Sequence, residues 1–373
     1  MTHRSPGHPL TYAAAGVDYG SLDPAKVMAQ RAAAATGPAL LRWGAAEVPA
    51  SRGESAFVWD EGEVYRAFVI EGLGTKNLVA DATRPITGRT HYDALAQDTV
   101  AMIVNDLAVV GAEPQVVSAY WAVADGAWFD DRERAADLVR GWAAACDLAG
   151  ATWGGGETPA LGGVVVPGTI DLGGACVGIV RPKERLVLGD RLAAGDRIVL
   201  VAATGIHANG LSLARKLAER LPDGYATDVG DGTGYGQALL VPTPIYAPLV
   251  ADVQAAGADV RYLVNVTGHG WRKLMRAPRD LGYRLDALPD VPPVLGFIAR
   301  EAGLDPAEAY GTLNMGAGFA FYVPPRDVAT VVDAAARYGL AAWDAGEVVE
   351  GARAVEIRPL GVRFAGETLG VRG

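Results

Sequence analysis

Residues 92 to 114, YDALAQDTVAMIVNDLAVVGAEP, read as one long helix that stops at Gly111, and this helix constrains the chain more than any other segment. Asp98, Asn105 and Asp106 are seven and eight residues apart. At about 100° per residue, Asn105 lies almost directly below Asp98 and Asp106 roughly 80° round. The other positions, among them Val100, Met102, Ile103, Val104 and Leu107, are heavily apolar. Carboxylates on such a helix are costly to bury unless a cation neutralises them. Mg²⁺, which takes a few carboxylate oxygens together with phosphate oxygens and water, suits this face. Helix caps or surface charges are the alternative.

A second constraint is VIEGLGTKNL, residues 69 to 78, which follows the alternating segment VYRAFVI. Its glycines do not make a P-loop, which needs four residues between its first glycine and a Gly-Lys-Ser/Thr. Nor do they make a dinucleotide fingerprint, whose third glycine falls at Asn77. What remains is a short turn after a strand, where Gly72, Gly74 and Thr75 let backbone amides approach an anion and Glu71 sits near Lys76. Alone it reads as a β-turn with a solvated Lys–Glu pair. Beside the acidic helix it reads as a phosphate and metal turn, with Glu71 as a further carboxylate.

Two motifs in the second half have the form of helix openings. ATGIHANGLSLARKL, residues 203 to 217, reads as a strand end, a glycine turn and a helix N-capped by Asn209, which places His207 and free amides at a positive terminus. NVTGHGWRKLMR, residues 265 to 276, opens another helix through Thr267, Gly268, His269 and Gly270. Either histidine alone is also an ordinary hydrogen-bonded loop residue. Together, facing a carboxylate-rich first half, the two openings point to an anionic substrate.

Half of the 373 residues are apolar, enough for two domains with ordinary cores. The charge of −10, from 43 acidic and 33 basic side chains, argues against a nucleic-acid or membrane-surface binder. The opening MTHRSPGHPL has no apolar signal core and ACVGIV is too short to span a bilayer, so a cytoplasmic protein with no membrane partner is expected. Cys146 and Cys176 are expected as buried thiols.

Along the chain, Asp23-Pro24 opens a helix closed by Gly37. AFVWD and VYRAFVI make a hairpin through Glu61-Gly62, and VVSAYWAV is a strand. DDRERAADLVRGWAAACDLAG is an amphipathic helix, WGGGETPALGG an irregular glycine-rich loop and IDLGGACVGIV a strand. The alternation lapses over residues 181 to 196, and a second unit runs from RIVLVAA to near WDAGEVVEGARAVEI. The expectation is an α/β (α+β) fold in two domains, 1–183 and 184–373.

In order, YAAAGVD (12–18), GLGTK (72–76), QDTVAMIVNDLAVVGAEP (97–114), GGGET (154–158), GIHANGLSLAR (205–215), PTPIY (242–246), NVTGHG (265–270) and LNMGAGFAFYV (313–323) resemble one family. It is aminoimidazole ribonucleotide synthetase, or phosphoribosylformylglycinamidine cyclo-ligase, of purine biosynthesis, and the resemblance covers nearly the whole chain. It implies a homodimer whose N-terminal sheets form a shared barrel, with ATP near the subunit interface and a C-terminal α/β domain closing over a phosphoribosyl substrate. The implied chemistry is ATP-dependent phosphorylation of an amide oxygen of formylglycinamidine ribonucleotide, attack by the amidine nitrogen and loss of phosphate. By the same resemblance Gly72, Gly74, Thr75, Lys76, Asn105, Gly155, Gly156 and Glu157 contact ATP or support its site. Glu71, Asp98 and Asp106 hold Mg²⁺, while His207 and Asn209, with Lys76, form the catalytic set. The turn at 207–210 or that at 267–270 lies near the ribose phosphate. The chain departs from the family where aspartate is usual at Glu71, in the loop PALGGVVVPG, at His269 within a glycine run, and at Met315, where a cysteine is often seen. A paralogous ATP-dependent enzyme acting on another small substrate, or a non-catalytic nucleotide-binding homologue, is the alternative.

Overall fold

The computed structural model describes residues 19 to 369; the opening MTHRSPGHPL, the YAAAGVD motif and the final GVRG lie outside the described residues. The alternation of VYRAFVI puts Ala67 and Val69 on one face of strand β3 (Tyr65–Gly72) and Phe68 and Ile70 on the other. β3 is antiparallel to β2 (Phe57–Asp60) and to β6 (Ile170–Val180), and β6 to β4 (Glu113–Val123). With β1 (Ala46–Glu47) and β5 (Thr152–Glu157) at its edges, this sheet runs β1-β2-β3-β6-β4-β5. The start of WGGGETPALGG, expected as a loop, is therefore strand β5 as far as Glu157, parallel to β4. Its glycines serve the pairing, since a Cβ on Gly156 would stand 2.1 Å from the Ala119 carbonyl oxygen.

Helix α3 (Tyr92–Ala108) crosses the inner face of this sheet, and every one of its residues except Asp93, Ala94 and Gln97 is buried. A helix buried all round needs cover from several layers. Here β3 and β6 lie on one side, with α4 (Arg132–Ala149) and α7 (Ala247–Ala255) on others. The approach to β6 relies on glycine, because a Cβ on Gly174 would come within 2.9 Å of Ile103 Cδ1. The opposite face of the sheet carries Phe68, Ile70, Val116 and Tyr120, with Ile70 72% exposed.

The second sheet contains β7 (Arg197–Ala202), β8 (Tyr262–Asn265), β9 (Leu281–Leu285), β10 (Ala317–Val323), β11 (Ala342–Glu350), β12 (Ala354–Ile357) and β13 (Val362–Ala365). Its order is β13-β12-β9-β11-β7-β10-β8. All seven residues of β10 are buried, as its unbroken apolar run AGFAFYV requires of a strand covered on both faces. One further strand, β13, follows the stretch WDAGEVVEGARAVEI and pairs antiparallel with β12.

Three local expectations are corrected. Helix α1 spans Tyr19–Ala34, so Asp23-Pro24 lies inside it and does not open it. Helix α5 (Leu211–Ala218) is capped by Gly210 at φ +84°, with no side-chain cap, because its entry is left-handed and glycine adopts that conformation without a Cβ penalty. Asn209 is thus not its N-cap. Residues Gly270–Met275 form a 3₁₀ helix of six residues that ends shortly before Pro278, where continuation is disfavoured. Among the described residues no helix is long and apolar enough to cross a membrane, and Cys146 and Cys176 are buried free thiols.

Candidate active site

The polar positions of α3 separate as the 100° step demands. Asp98 and Asn105 both face the loop Val241–Tyr246 of the second half, while Asp106 turns toward β8. Thr243 donates to Asp98 Oδ1 from its backbone amide at 2.9 Å and from its hydroxyl at 2.5 Å. Asn105 donates to the Pro244 carbonyl at 2.9 Å and accepts from the Tyr246 amide at 2.7 Å. Gln97 adds a bond to the Thr243 carbonyl at 2.9 Å. The other oxygen of Asp98 faces Lys76 Nζ at 2.6 Å, and neither side chain of this pair reaches solvent. Burial pulls the Lys76 ammonium down and pushes the Asp98 carboxyl up, and their mutual attraction opposes both shifts. Lys76 also donates to the Val241 carbonyl at 3.2 Å.

His207 lies beyond this pair, 2% exposed and at φ +61°, with its ring 6.4 Å from that of Tyr246. Burial, helped by the charge of Lys76, lowers its pKa to about 3, so the ring is neutral at physiological pH. Asn209 is half-buried, its amide 4.0 Å from Met102 Sδ on α3.

A second cluster forms where β3 ends. Glu71 lies on the inner face of β3, half-buried, and its carboxyl is raised to about 7, first by burial and then by the negative charge of Asp106. Asp106 accepts a hydrogen bond at 2.7 Å from Asn265, the last residue of β8. Lys273 and Arg276, from the 3₁₀ segment and its end, act on Glu71 in the opposite sense. Among the described residues no three His, Cys, Asp or Glu side chains gather into a metal cage. The structure brings Glu71 and Asp106 together and places Asp98 on Lys76. Two carboxylates that repel one another fit Mg²⁺, which takes one or two carboxylates and completes its shell with phosphate oxygens and water.

The glycine turn leads directly from this cluster. Gly72 and Gly74 are exposed, Gly74 sits at φ +72°, and helix α2 (Lys76–Thr87) begins behind Thr75, which makes no side-chain cap bond. The first amides of α2 therefore have no cap from Thr75 and lie beside an exposed turn, as an anion site requires. The register sets Glu71, Gly174, Ala119 and Gly156 in one row across the sheet. Gly156 thus stands three strands from Glu71, roughly 14 Å at the usual spacing. Gly155 (φ +104°) and Glu157 flank it on the exposed edge. The sequence motifs missed the partners Thr243 and Asn265 as well as Lys273. All three lie within PTPIY or NVTGHGWRKLMR, so only their pairing across the chain was hidden.

Residues 53–180 match the family model for the AIR synthase related protein, N-terminal domain, and residues 193–358 that for the C-terminal domain. A relative named phosphoribosylformylglycinamidine cyclo-ligase, from Methanothermobacter thermautotrophicus, is 35% identical over 300 residues, 79% of this chain and 83% of the relative. Another of that name, from Sorangium cellulosum, is 36% identical over 346 residues, 91% and 95% of the two chains. Among solved structures, tt0281 from Thermus thermophilus superposes with a TM-score of 0.53 at 19% identity, over 83% of this chain and 90% of that one. T. maritima PurL complexed with ATP gives 0.51 at 17%, over 83% and 45%. At these identities the two structures are alike in fold.

The Lys76–Asp98 pair yields a stability prediction. Lys76→Met strands a buried carboxylate and is expected to cost roughly 3–5 kcal/mol in urea unfolding, much of it recovered in Lys76→Met/Asp98→Asn. A cost below about 1 kcal/mol for the single variant would show that the pair does not fasten the loop.

Proposed function

We propose, from the premise that this chain belongs to the AIR synthase related family, that it is the ATP-dependent cyclo-ligase that converts formylglycinamidine ribonucleotide to aminoimidazole ribonucleotide in purine biosynthesis. The observation that carries this reading is the Glu71–Asp106 carboxylate pair at the foot of an exposed glycine turn, with second-half loops packed against the same helix. The amide oxygen of the substrate is a very poor leaving group. Transfer of the ATP γ-phosphoryl group to it makes phosphate the leaving group when the amidine nitrogen closes the ring. Such chemistry needs positioning and charge neutralisation more than a strong acid or base.

In this reading the amides that open α2 and the turn Gly72–Thr75 hold the ATP phosphates, in the half spanning residues 1–183. Gly155, Gly156 and Glu157 border the nucleotide from the sheet edge. Glu71 and Asp106 hold Mg²⁺, which when bound neutralises phosphate charge. Lys76 serves from beneath, fixing the start of α2 through Asp98, while Asn105 holds the substrate-side loop in place. His207 and Asn209 come from the half spanning 184–373 that closes over the substrate. As a neutral imidazole, His207 orients by accepting or donating a single hydrogen bond and does not supply a proton as imidazolium. A biosynthetic enzyme of this kind works in the cytoplasm. Its exposed face of Phe68, Ile70, Val116 and Tyr120 is the side against which a second copy packs to form a homodimer.

The direct test is the formation of aminoimidazole ribonucleotide from formylglycinamidine ribonucleotide, ATP and Mg²⁺. The expected result is one ADP and one phosphate per product, with Glu71→Gln slower by an order of magnitude or more and Glu71→Asp retaining part of the rate. No product at saturating substrate would assign the chain to a different amide. For the dimer, Ile70→Glu is expected to shift sedimentation from two copies to one without loss of helix signal; a monomeric wild-type protein at micromolar concentration would refute it.

A further inference from the structure

Helix α2 packs against α6 (Tyr235–Leu239) and the 3₁₀ turn Gly224–Ala226, so the two halves of the chain meet along it. A cavity of about 350 Å³ opens at this seam, and Thr83, Thr87, Arg89, His91, Tyr225 and Gln237 line it. Thr83 is 1% exposed, and its hydroxyl has no hydrogen-bond partner among the described residues. Buried hydroxyls are normally paired, and no protein group fills that role here. His91 is 7% exposed and lies at φ +60°. The Thr87 hydroxyl donates to the Thr83 carbonyl at 3.3 Å, so its oxygen receives the Nε2–H of His91 at 3.0 Å. That bond sets the tautomer and leaves Nδ1 as an acceptor. The ring is neutral, because burial first and then the charge of Arg89 lower its pKa. Gln237 adds an exposed amide, and Arg89 an exposed guanidinium that faces Asp93 at 3.7 Å.

We propose that this crevice is a second ligand site, built for a sugar phosphate and separate from the cleft at Glu71 and Asp106. Arg89 offers a forked donor to the phosphate, whose charge of roughly −2 outcompetes the 3.7 Å contact with the single charge of Asp93. Thr83, the acceptor nitrogen of His91 and the Gln237 amide are neutral groups of mixed donor and acceptor character. They match the hydroxyl groups of a sugar, whereas a bare anion gains little from them beyond Arg89. The cavity also has the size of a small-molecule pocket at a junction between domains. His91 stands just before α3 and Asp106 near its far end, about 22 Å away at 1.5 Å per residue. A ligand in the crevice therefore does not reach the carboxylate pair. A further cavity of about 360 Å³ runs on from Arg89, His91 and Gln237 to Val241 and Pro242. The Val241 carbonyl receives Lys76 and the Pro242 carbonyl receives the Thr204 hydroxyl, so the occupant borders the loop that Asp98 holds. The site stands independently of the reaction proposed above.

The test places a thiol at the mouth of the crevice and asks what protects it. Ile86 lines the cavity and is 51% exposed, while Cys146 and Cys176 are buried, so Ile86→Cys gives one reactive position for a maleimide. Ribose 5-phosphate is the probe, and it is expected to slow labelling saturably, by about fivefold or more at millimolar concentration. Adding Arg89→Ala is expected to raise the concentration needed about tenfold. Thr83→Val, which keeps the shape and removes a hydroxyl that no protein group pairs, is expected to fold normally and raise it about threefold. No protection at about 10 mM would overturn the site. Equal protection by inorganic phosphate would mean an adventitious ion only and would also overturn it. Protection undiminished by Arg89→Ala would mean that the sugar phosphate acts from elsewhere, with the same consequence. Tighter protection by a nucleoside 5′-monophosphate would support the site with a nucleotide as its source, and weaker protection would support it with a free sugar phosphate. The readout involves no turnover, so a failed cyclo-ligase assay leaves this proposal standing.

Discussion

Lys76 and Asp98 meet at 2.6 Å with neither side chain open to solvent, and the cleft is organised around that contact. A lone buried carboxylate on α3 would be prohibitively costly, as would a lone ammonium at the start of α2, so each fixes the other. The remaining valences of Asp98 are filled by Thr243, and Asn105, about two turns further along the same face, fills those of the Pro244–Tyr246 backbone. The second-half loop Val241–Tyr246 is thereby attached to the helix that carries Asp106. Burial of α3 on all sides, the pairing of its charges and the placement of the second half follow from one another.

Much of this was legible from residue spacing. The angular reading of α3, with Asp98 above Asn105 and Asp106 turned away, is how the structure distributes their partners. The hairpin, β4, β6 and the start of the second unit also lie where alternation put them. What spacing does not carry is which cation answers which carboxylate. Lys76 reads as a phosphate contact because it adjoins a glycine turn. As the first residue of α2, however, its side chain points inward to α3, a direction set by tertiary packing. Conversely, Glu71 and Asp106 are brought together by a sheet register and a helix crossing that neither segment encodes alone.

The glycine-rich segments show the same limit. WGGGET lacks the side chains that mark a strand, and it becomes one because the neighbouring backbone at Ala119 leaves no room for a Cβ. At GIHANG the asparagine has the chemistry of a cap, yet Gly210 takes the left-handed position that starts α5.

A site with a repelling carboxylate pair, an exposed glycine turn and a neutral histidine suits the proposed activation of an amide oxygen by phosphorylation and has little equipment for strong acid or base catalysis. The most direct measurement of that claim labels the amide oxygen of formylglycinamidine ribonucleotide with ¹⁸O and follows the inorganic phosphate by ³¹P nuclear magnetic resonance during turnover. The account predicts one ¹⁸O in each phosphate released with aminoimidazole ribonucleotide. Unlabelled phosphate, with the label appearing in water, would contradict it.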